Sequence, residues 1–263
     1  MDAEIPAKLY KYRNTGDFSK AIFVSNKVYF SSPDEFNDPF DCGFGIQCVG
    51  KKNQQVIESE AWQVIREQNP QWSLEAQLDA AKQTSAKIHT DRSERVCSIS
   101  ETKLADDTNH IAGVLSLSAQ NDNILMWSHY ADNHKGICIE FRTDIVHSLF
   151  TEAKPVVYDE ELPRYDLYEV VTNEELRSSV PWMLTKSPLW EYEKEWRVLD
   201  FETRNEPQAF PAECITGVIL GCRIPASERE KVEQWVTSLS HDVTLYEAKQ
   251  SDTHFRLSID RID

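Results

Sequence analysis

The chain has 263 residues, of which 40% are hydrophobic and 27% are charged, a composition typical of a globular protein rather than a disordered or fibrous one. Its 28 basic and 44 acidic residues give a formal net charge of −16, which argues against non-specific binding to nucleic acid or to anionic membranes. Because the chain shows neither a signal-peptide pattern nor an apolar stretch long enough to span a membrane, we expect a soluble, cytoplasmic protein.

The first third of the chain is predicted to contain two strands followed by a helical insertion. Residues 9–13 alternate in character, which places Lys11 and Arg13 on one face of the first strand and Tyr12 on the other. Helical spacing of apolar residues then predicts an insertion at about residues 53–92, lying on the main body of the protein.

The middle of the chain is predicted to form a strand and then a helix. Residues 114–118 alternate, and this places Ser116 and Ser118 on the same face of the strand. Serines in an alternating strand are commonly just the solvent-facing side, so the pair is weak evidence for a site. The helix begins near residues 121–122 and stops at Gly136, because glycine is expected just past the end of a helix.

This helix carries the richest combination of side chains in the chain. Trp127 has the spacing of a core residue, whereas His129 and Tyr130 lie on a stripe that is too polar for an ordinary core. His129 could act as an acid or base, or could hydrogen-bond a phosphate. In the alternative interpretation, Trp127 is core and His129 is merely half-buried.

The densest cluster of charged and aromatic side chains lies at residues 186–197. Interpreted as a strand from Glu193 onward, it places Glu193, Glu195 and Arg197 on one face, with about 6.5–7 Å between successive side chains. Two carboxylates at this spacing can both contact one small ligand and are too far apart to share a proton. The alternative is an edge strand with a solvated charged face, in which Arg197 pairs with Glu195.

The remainder of the chain continues with strand and helix patterns. Strands are predicted at residues 215–220, 243–248 and 254–259, and a helix at residues 227–239. No internal repeat, low-complexity segment or glycine-rich linker divides the sequence. We therefore predict a single α+β domain over residues 1–263, with mixed, largely antiparallel sheets, flanking helices and the helical insertion.

Metal and cofactor motifs are not apparent in the sequence. The six cysteines are widely and irregularly spaced, with no CxxC pair and no zinc-like spacing. Asp38 and Asp41 lie in a tight turn around Pro39 and could bind a divalent metal ion. Asn and Asp before proline more commonly satisfy the turn backbone through their own side chains. We therefore predict no metal site and no permanently bound cofactor.

Several blocks between residues 9 and 221 match a known family pattern. The most specific are Asn-Asp-Pro-Phe-Asp at residues 37–41, Met-Trp-Ser-His-Tyr at residues 126–130 and Glu-Lys-Glu-Trp-Arg at residues 193–197. Together the blocks resemble domain-of-unknown-function family 2971, a bacterial and phage-associated group. The resemblance implies a cytoplasmic bacterial context and brings no established activity.

A weaker similarity concerns the order of the polar residues along the chain. A first strand ending in Arg13, a strand carrying Ser116 and Ser118, and a late strand opening with Glu-x-Glu are similar to the Arg–Ser–Glu order of ADP-ribosyltransferases. This similarity implies that Arg13 holds a diphosphate, with Lys11 or His129 as substitutes, and that the serines position the nicotinamide ribose of NAD. It makes Glu195 catalytic, with Glu193 beside it.

We therefore predict an enzyme with an ADP-ribosyltransferase-like core that transfers or hydrolyses the ADP-ribose of NAD, as a toxin or phage-defence effector. Two alternatives stay open: a metal-dependent nuclease, and a non-enzymatic module that senses a ligand or binds a protein. The nuclease would use Asp38, Asp41 and Glu195, and the module would use Trp127, His129 and Trp190. The predicted catalytic residues are Glu195, Glu193 and His129, and the predicted substrate-binding residues are Arg13, Lys11, Tyr12, Ser116, Ser118, Trp127, Tyr130 and Arg197.

Overall fold

The computed structural model describes residues 3–47, 51–86, 112–166 and 181–262. These residues form an α+β fold, as predicted. The helices are α1 (Asp17–Val24), α2 (Lys51–Gln68), α3 (residues 74–86), α4 (Ile124–Tyr130) and α5 (Ala226–Thr237). The strands are β1 (Lys8–Arg13), β2 (Lys27–Phe30), β3 (Gly45–Gln47), β4 (Gly113–Ser118), β5 (Ile137–Arg142), β6 (Lys154–Pro155), β7 (Val157–Tyr158), β8 (Arg164–Asp166), β9 (Thr185–Lys186), β10 (Glu195–Asp200), β11 (Glu206–Ala209), β12 (Ile215–Leu220), β13 (Thr244–Gln250) and β14 (Leu257–Arg261).

Eight of these strands form one sheet in the order β14-β13-β12-β5-β1-β4-β10-β6. Neighbouring strands in the sheet are antiparallel, except that β12 and β13 are parallel. The prediction of a mixed, largely antiparallel sheet with flanking helices is therefore confirmed, whereas the ADP-ribosyltransferase-like core stays a prediction. No described helix is both long enough and apolar enough to cross a membrane.

Alternation along the central strands gives the sheet two buried faces. On one face, Leu9 and Leu117 belong to a large apolar cluster that includes Ile22 of α1. On the other face, Tyr12 belongs to a smaller cluster with Trp127 of α4. Both faces of these central strands are therefore buried. Polar side chains on the second face contact each other.

The sheet is interrupted between β1 and β4. β1 pairs with β5 along its whole length, and β4 pairs with β10 along its whole length. Between β1 and β4, however, the register contains one pair, Tyr10 with Ser118. Further along, the Nζ atom of Lys11 donates to the backbone oxygen of Ser116 at 2.8 Å. A side chain thus bridges the two strands where the backbone ladder has ended.

Contacts along the chain group it into two compact units. The first consists of Met1–Asp41, His110–Glu160 and Leu184–Asp263, and the second of Cys42–Asn109 and Glu161–Met183. The first unit contains the eight-stranded sheet, and the second contains α2 and α3 together with the parallel pair β3 and β8. The predicted helical insertion at about residues 53–92 falls in the second unit, and its residues 87–92 lie outside the described residues. The single domain stays a prediction.

The end of α4 differs from the prediction. The helix begins after Asn123, whose side chain caps it, and it ends at Tyr130 rather than running on towards Gly136. The chain reverses through Asp132, Asn133 and His134, which have φ angles of 47°, 54° and 70°. Asparagine and aspartate tolerate this left-handed conformation better than most residues, so they end the helix in place of the predicted glycine.

Gly136 is needed for a different reason. It does not adopt a positive φ. Instead, a Cβ atom at this position would overlap the backbone oxygen of Arg13 at the end of β1. Glycine at this position therefore allows a close approach of backbone to backbone, which sets where the last residue of β1 lies.

Replacing Gly136 with alanine should lower the free energy of unfolding by about 1–3 kcal/mol, because the backbone at Arg13 must shift to admit the methyl group. Chemical denaturation of the purified variant measures this change. Gly45→Ala is the matched control, since an added Cβ there meets only the side chain of Arg164 at 3.4 Å. Equal stability of the Gly136→Ala and Gly45→Ala variants would contradict the argument.

Candidate functional site

Five charged side chains form a buried ionic cluster at the start of β10: Asp41, Lys186, Glu193, Glu195 and Arg197. The Nζ atom of Lys186 lies 2.6 Å from Glu193 Oε2 and 3.0 Å from Glu195 Oε2. It also lies 3.2 Å from Asp41 Oδ2. Arg197 donates from Nε to Glu195 Oε1 at 2.8 Å, and its Nη2 lies 2.8 Å from each Asp41 carboxylate oxygen. None of these side chains is more than 6% exposed, so each charge depends on its neighbours for compensation.

The two glutamates reach this cluster through a turn and not through strand alternation. Glu193 ends a 3-10 helix at Pro188–Glu193, and Lys194 then adopts a left-handed conformation with φ 44°. Glu195 is the first residue of β10. The prediction of a strand that starts at Glu193 is therefore wrong, because the left-handed residue reverses the chain between the two carboxylates.

The alternative of a solvated edge strand is also wrong. β10 lies between β4 and β6, and the side chain of Arg197 is fully buried. The predicted pairing of Arg197 with Glu195 is confirmed. In a buried strand this pairing satisfies both charges, whereas on a solvated edge it would contribute little.

Hydroxyl groups of neighbouring elements fix both glutamates. The Oγ atom of Ser118 donates to the backbone oxygen of Glu193 at 2.6 Å and accepts from the backbone amide of Gln120 at 3.0 Å. The Glu195 amide donates to the hydroxyl of Tyr158 at 2.9 Å. Ser118 therefore uses its hydroxyl to hold the backbone of an acidic residue.

A tyrosine hydroxyl also binds a side-chain oxygen of one glutamate. The hydroxyl of Tyr130 donates to Glu193 Oε1 at 2.6 Å. The nearby Ser116 side chain helps to lower the pKa of Glu195. The hydrogen bond from Tyr130 fixes the Glu193 carboxylate, and this preorganises the acidic side of the site.

The two glutamates have opposite pKa shifts. Burial is the largest influence on each and raises the pKa. At Glu195 the adjacent Arg197 and Lys186 outweigh burial and lower the pKa to about 2. At Glu193 burial outweighs Lys186, and repulsion from Glu195 adds to it, so the pKa is raised. Glu195 is thus the permanently ionised member, and Glu193 is the carboxyl group suited to exchange a proton.

The ionic cluster borders a cavity of about 610 Å³ in the first unit, a volume suited to a small-molecule ligand. The predicted site residues that line it are Lys11, Tyr12, Arg13, Ser116, Ser118, His129, Tyr130, Glu193 and Glu195. The cavity occupies the interruption between β1 and β4, which explains why residues of both strands reach it. The structure brings these residues together, and their individual roles stay predictions.

Lys11 and Arg13 form the cationic side of the cavity. Among the described residues, neither side chain is ion-paired with a carboxylate. Arg13 Nε is buried with no hydrogen-bond partner in the described part of the chain, and the guanidinium carbon lies 5.6 Å from the ring centre of Phe18. Burial and the adjacent Arg13 lower the pKa of Lys11 to about 7, although Glu195 acts in the opposite direction.

Two predicted site residues are not among those lining the cavity. Trp127, on the buried side of α4, is fully buried. Its Nε1 donates to the backbone oxygen of Asn121 at 2.9 Å, and its ring contacts that of Tyr12 edge-on. Arg197 lies behind Glu195 in the ionic cluster. His129 does line the cavity, where its exposed ring lies 6.4 Å from that of Tyr192.

Sequence reasoning missed Lys186 and Tyr158. Lys186 is the cation shared by three carboxylates, and Tyr158 fixes the backbone of Glu195. A buried pair of glutamates requires a compensating cation, so a lysine only a few residues upstream was a usable signal. Nothing local to Tyr158 indicates its contact with β10, because that contact depends on how separate segments pack.

The turn that contains Asp38 has a structural explanation. Asp38 Oδ1 accepts from the backbone amide of Phe40 at 2.9 Å, as expected for an aspartate before proline. Asp41 and Glu195 are close together, but the cations between them are Lys186 and Arg197. Within residues 3–47, 51–86, 112–166 and 181–262, no group of three or more metal-ligating side chains is placed to hold a metal ion.

Comparison with known proteins identifies one family. The family described as "Protein of unknown function (DUF2971)" matches residues 126–198, which include most of α4, all of β5 and most of the ionic cluster. The predicted resemblance to this family is thereby confirmed over that stretch. No curated protein and no solved structure matches the chain. None of the comparisons supports the similarity to ADP-ribosyltransferases, which stays a hypothesis.

Replacing Lys186 with methionine should lower the free energy of unfolding by about 3–5 kcal/mol, because three buried carboxylates lose their shared cation. Lys194→Met is the matched control: it removes an exposed ion pair with Glu191, three residues away, and should change stability little. Adding Glu193→Gln to Lys186→Met should restore part of the loss. Similar unfolding curves for the two lysine variants would show that the cluster does not stabilise the fold.

Stability should depend on pH with opposite contributions from the two glutamates. The lowered pKa of Glu195 stabilises the fold above its unfolded pKa of about 4.3, and this contribution, on the order of 2–3 kcal/mol, is lost as the pH falls towards 2. The raised pKa of Glu193 acts in the other direction. The free energy of unfolding between pH 5 and pH 2 should therefore fall less steeply in Glu195→Gln and more steeply in Glu193→Gln than in the wild type. Parallel pH profiles for the two variants would refute the assignment.

Proposed function

We propose that the cavity binds a nucleotide and that the protein cleaves NAD at the nicotinamide–ribose bond, transferring or hydrolysing the ADP-ribose. The observation that carries this proposal is the division of one cavity into two sides. Lys11 and Arg13 lie on one side without carboxylate partners in the described chain, and Glu193 and Glu195 lie on the other. A ligand with an anionic part and a part that becomes positive during reaction fits both sides.

Arg13 is the proposed partner for the diphosphate of NAD. A guanidinium group binds phosphate oxygens through paired hydrogen bonds, and the buried Nε atom of Arg13 has no partner among the described residues. Leaving a buried charged donor without a partner is costly, so a phosphate that satisfies it would bind favourably. The ring of Phe18 lies 5.6 Å from the guanidinium carbon, and both residues line the cavity.

The acidic side is proposed to stabilise the transition state. Loss of nicotinamide from NAD builds positive charge on the ribose. Glu193 and Glu195 line the cavity, so their carboxylates can act on a charge that develops on a bound ribose. The sugar becomes positive only as the bond breaks, and its attraction to these carboxylates is therefore stronger in the transition state than in the substrate.

Glu193 is the proposed general acid or base. Its raised pKa and its hydrogen bond to Tyr130 suit it to take a proton from the attacking water or acceptor, while Glu195 stays ionised behind it. Tyr12 and Tyr130 line the cavity and are the proposed aromatic contacts for nicotinamide. An enzyme that consumes cellular NAD would suit a toxin or phage-defence effector.

The two rival functions draw less support from the site. Asp41 and Glu195 already accept hydrogen bonds from Lys186 and Arg197, which occupy the position a nuclease metal would need. A sensing module would not require two convergent carboxylates, and Trp127 is packed in the core rather than exposed to a ligand.

Incubation of the protein with NAD should release nicotinamide, measured by chromatography. The rate should fall about 100-fold or more in Glu193→Gln and in Glu195→Gln, because each removes a group that acts on the transition state. Glu191→Gln removes an exposed carboxylate from the same 3-10 helix and should keep the wild-type rate. Arg13→Met should raise KM more than it lowers kcat.

Thermal unfolding of each variant, run in parallel, separates loss of chemistry from loss of fold. Equal nicotinamide release from wild type, Glu193→Gln and Glu195→Gln would exclude the proposed reaction. So would the absence of release from a folded wild-type protein across pH 5 to 9, with or without a candidate protein acceptor.

A further inference from the structure

Lys11 has an environment unlike those of two other lysines of the first unit. The Nζ atom of Lys8, on the same strand, pairs with Glu140 at 2.8 Å, and Lys186 is shared by three carboxylates. Lys11 instead donates to one neutral group, the backbone oxygen of Ser116, and its amine lines the cavity. In the described chain no carboxylate is ion-paired with it. A lysine in this position can lose its proton without breaking an ion pair.

The groups around Lys11 make its neutral form accessible near pH 7. Burial and the adjacent guanidinium of Arg13 lower the pKa of the Lys11 amine to about 7, and Glu195 opposes them. The other charged residues that line the cavity are Glu35, Asp41, Lys186 and Glu193. An ordinary lysine has a pKa near 10.4, so only about one molecule in 2,500 is neutral at pH 7. Desolvation beside a second cation is the arrangement that makes a lysine nucleophilic.

We infer that Lys11 is a nucleophilic amine that captures a ligand carbonyl group as an imine, and that Arg13 binds an anionic group of the same ligand. The neutral amine attacks the carbonyl carbon, a C–N bond forms, and the C=O π electrons move to oxygen. The oxygen takes up a proton as the nitrogen loses one, which gives a carbinolamine. Water then leaves with that oxygen and the second nitrogen proton, and a C=N bond remains.

The geometry restricts the ligand to one chemical class. Lys11 and Arg13 are two residues apart on β1, so their side chains lie on the same face of that strand and both reach the cavity. The ligand therefore carries a carbonyl and an anionic group, such as a phosphate, within one small molecule. Arg13 supplies the fixed cation, since its guanidinium cannot itself form an imine at neutral pH. This inference goes beyond NAD cleavage and does not depend on it.

Pyridoxal 5′-phosphate is a suitable probe because it combines an aldehyde with a phosphate. The full-length protein is incubated with it at pH 7, the imine is reduced with borohydride, and the modified peptides are mapped by mass spectrometry. Lys11 should be modified at least about tenfold more than exposed lysines, which are almost fully protonated at this pH. Pyridoxal, which lacks the phosphate, should require at least about tenfold higher concentration for the same modification, because it forfeits the charge-assisted bonds to Arg13.

Two variants complete the test, neither of which requires NAD. Lys11→Arg should abolish the preferred adduct, and Lys8→Arg, on the same strand, should retain it. Modification confined to exposed lysines of the folded wild-type protein would overturn the inference, and so would an undiminished adduct in Lys11→Arg. Equal saturation by the two probes would also contradict it, because the anionic group is assigned to Arg13. These outcomes differ from a failure to release nicotinamide, so the two proposals stand or fall separately.

Discussion

Buried carboxylates repel one another unless a cation lies between them, and at the start of β10 that cation is Lys186. Its ammonium group contacts Asp41, which is distant in sequence, and Glu193 and Glu195, which are two residues apart. Arg197 pairs with Asp41 and Glu195. The two cations lower the pKa of Glu195, whereas burial dominates at Glu193 and raises the pKa of that carboxyl group.

The interruption of the sheet brings these carboxylates to the border of a cavity. Because β1 leaves β4 after the pairing of Tyr10 with Ser118, side chains of both strands turn towards a common space. β1 carries the basic residues Lys11 and Arg13, and β4 contacts the acidic residues. The Ser118 hydroxyl holds the backbone of Glu193, so this side chain supports an acidic residue as well as lining the cavity.

The features of this arrangement that depend on local sequence pattern could be predicted. The alternation at β1 and β4 identified which residues share a face, and nine of the predicted residues line one cavity. The turn before β10 was not predictable, because lysine carries no local preference for the left-handed conformation that Lys194 adopts. The Asp41–Arg197 contact joins residues 156 positions apart and depends on the packing of distant segments. The same is true of the broken ladder between β1 and β4, since strand pairing is not encoded locally.

The single backbone pairing between β1 and β4 divides the sheet into two groups of strands. β14, β13, β12, β5 and β1 form one group, which carries Lys11 and Arg13, and β4, β10 and β6 form the other, which carries Glu195. Side chains of β1 link the groups beyond that pairing: Lys11 donates to the Ser116 carbonyl, and the Tyr12 hydroxyl donates to the backbone oxygen of Gln120. A ligand that engages the Lys11 amine must therefore compete with one of these links. Occupancy of the cavity and the contact between its two bordering strands are thus coupled through the same side chain.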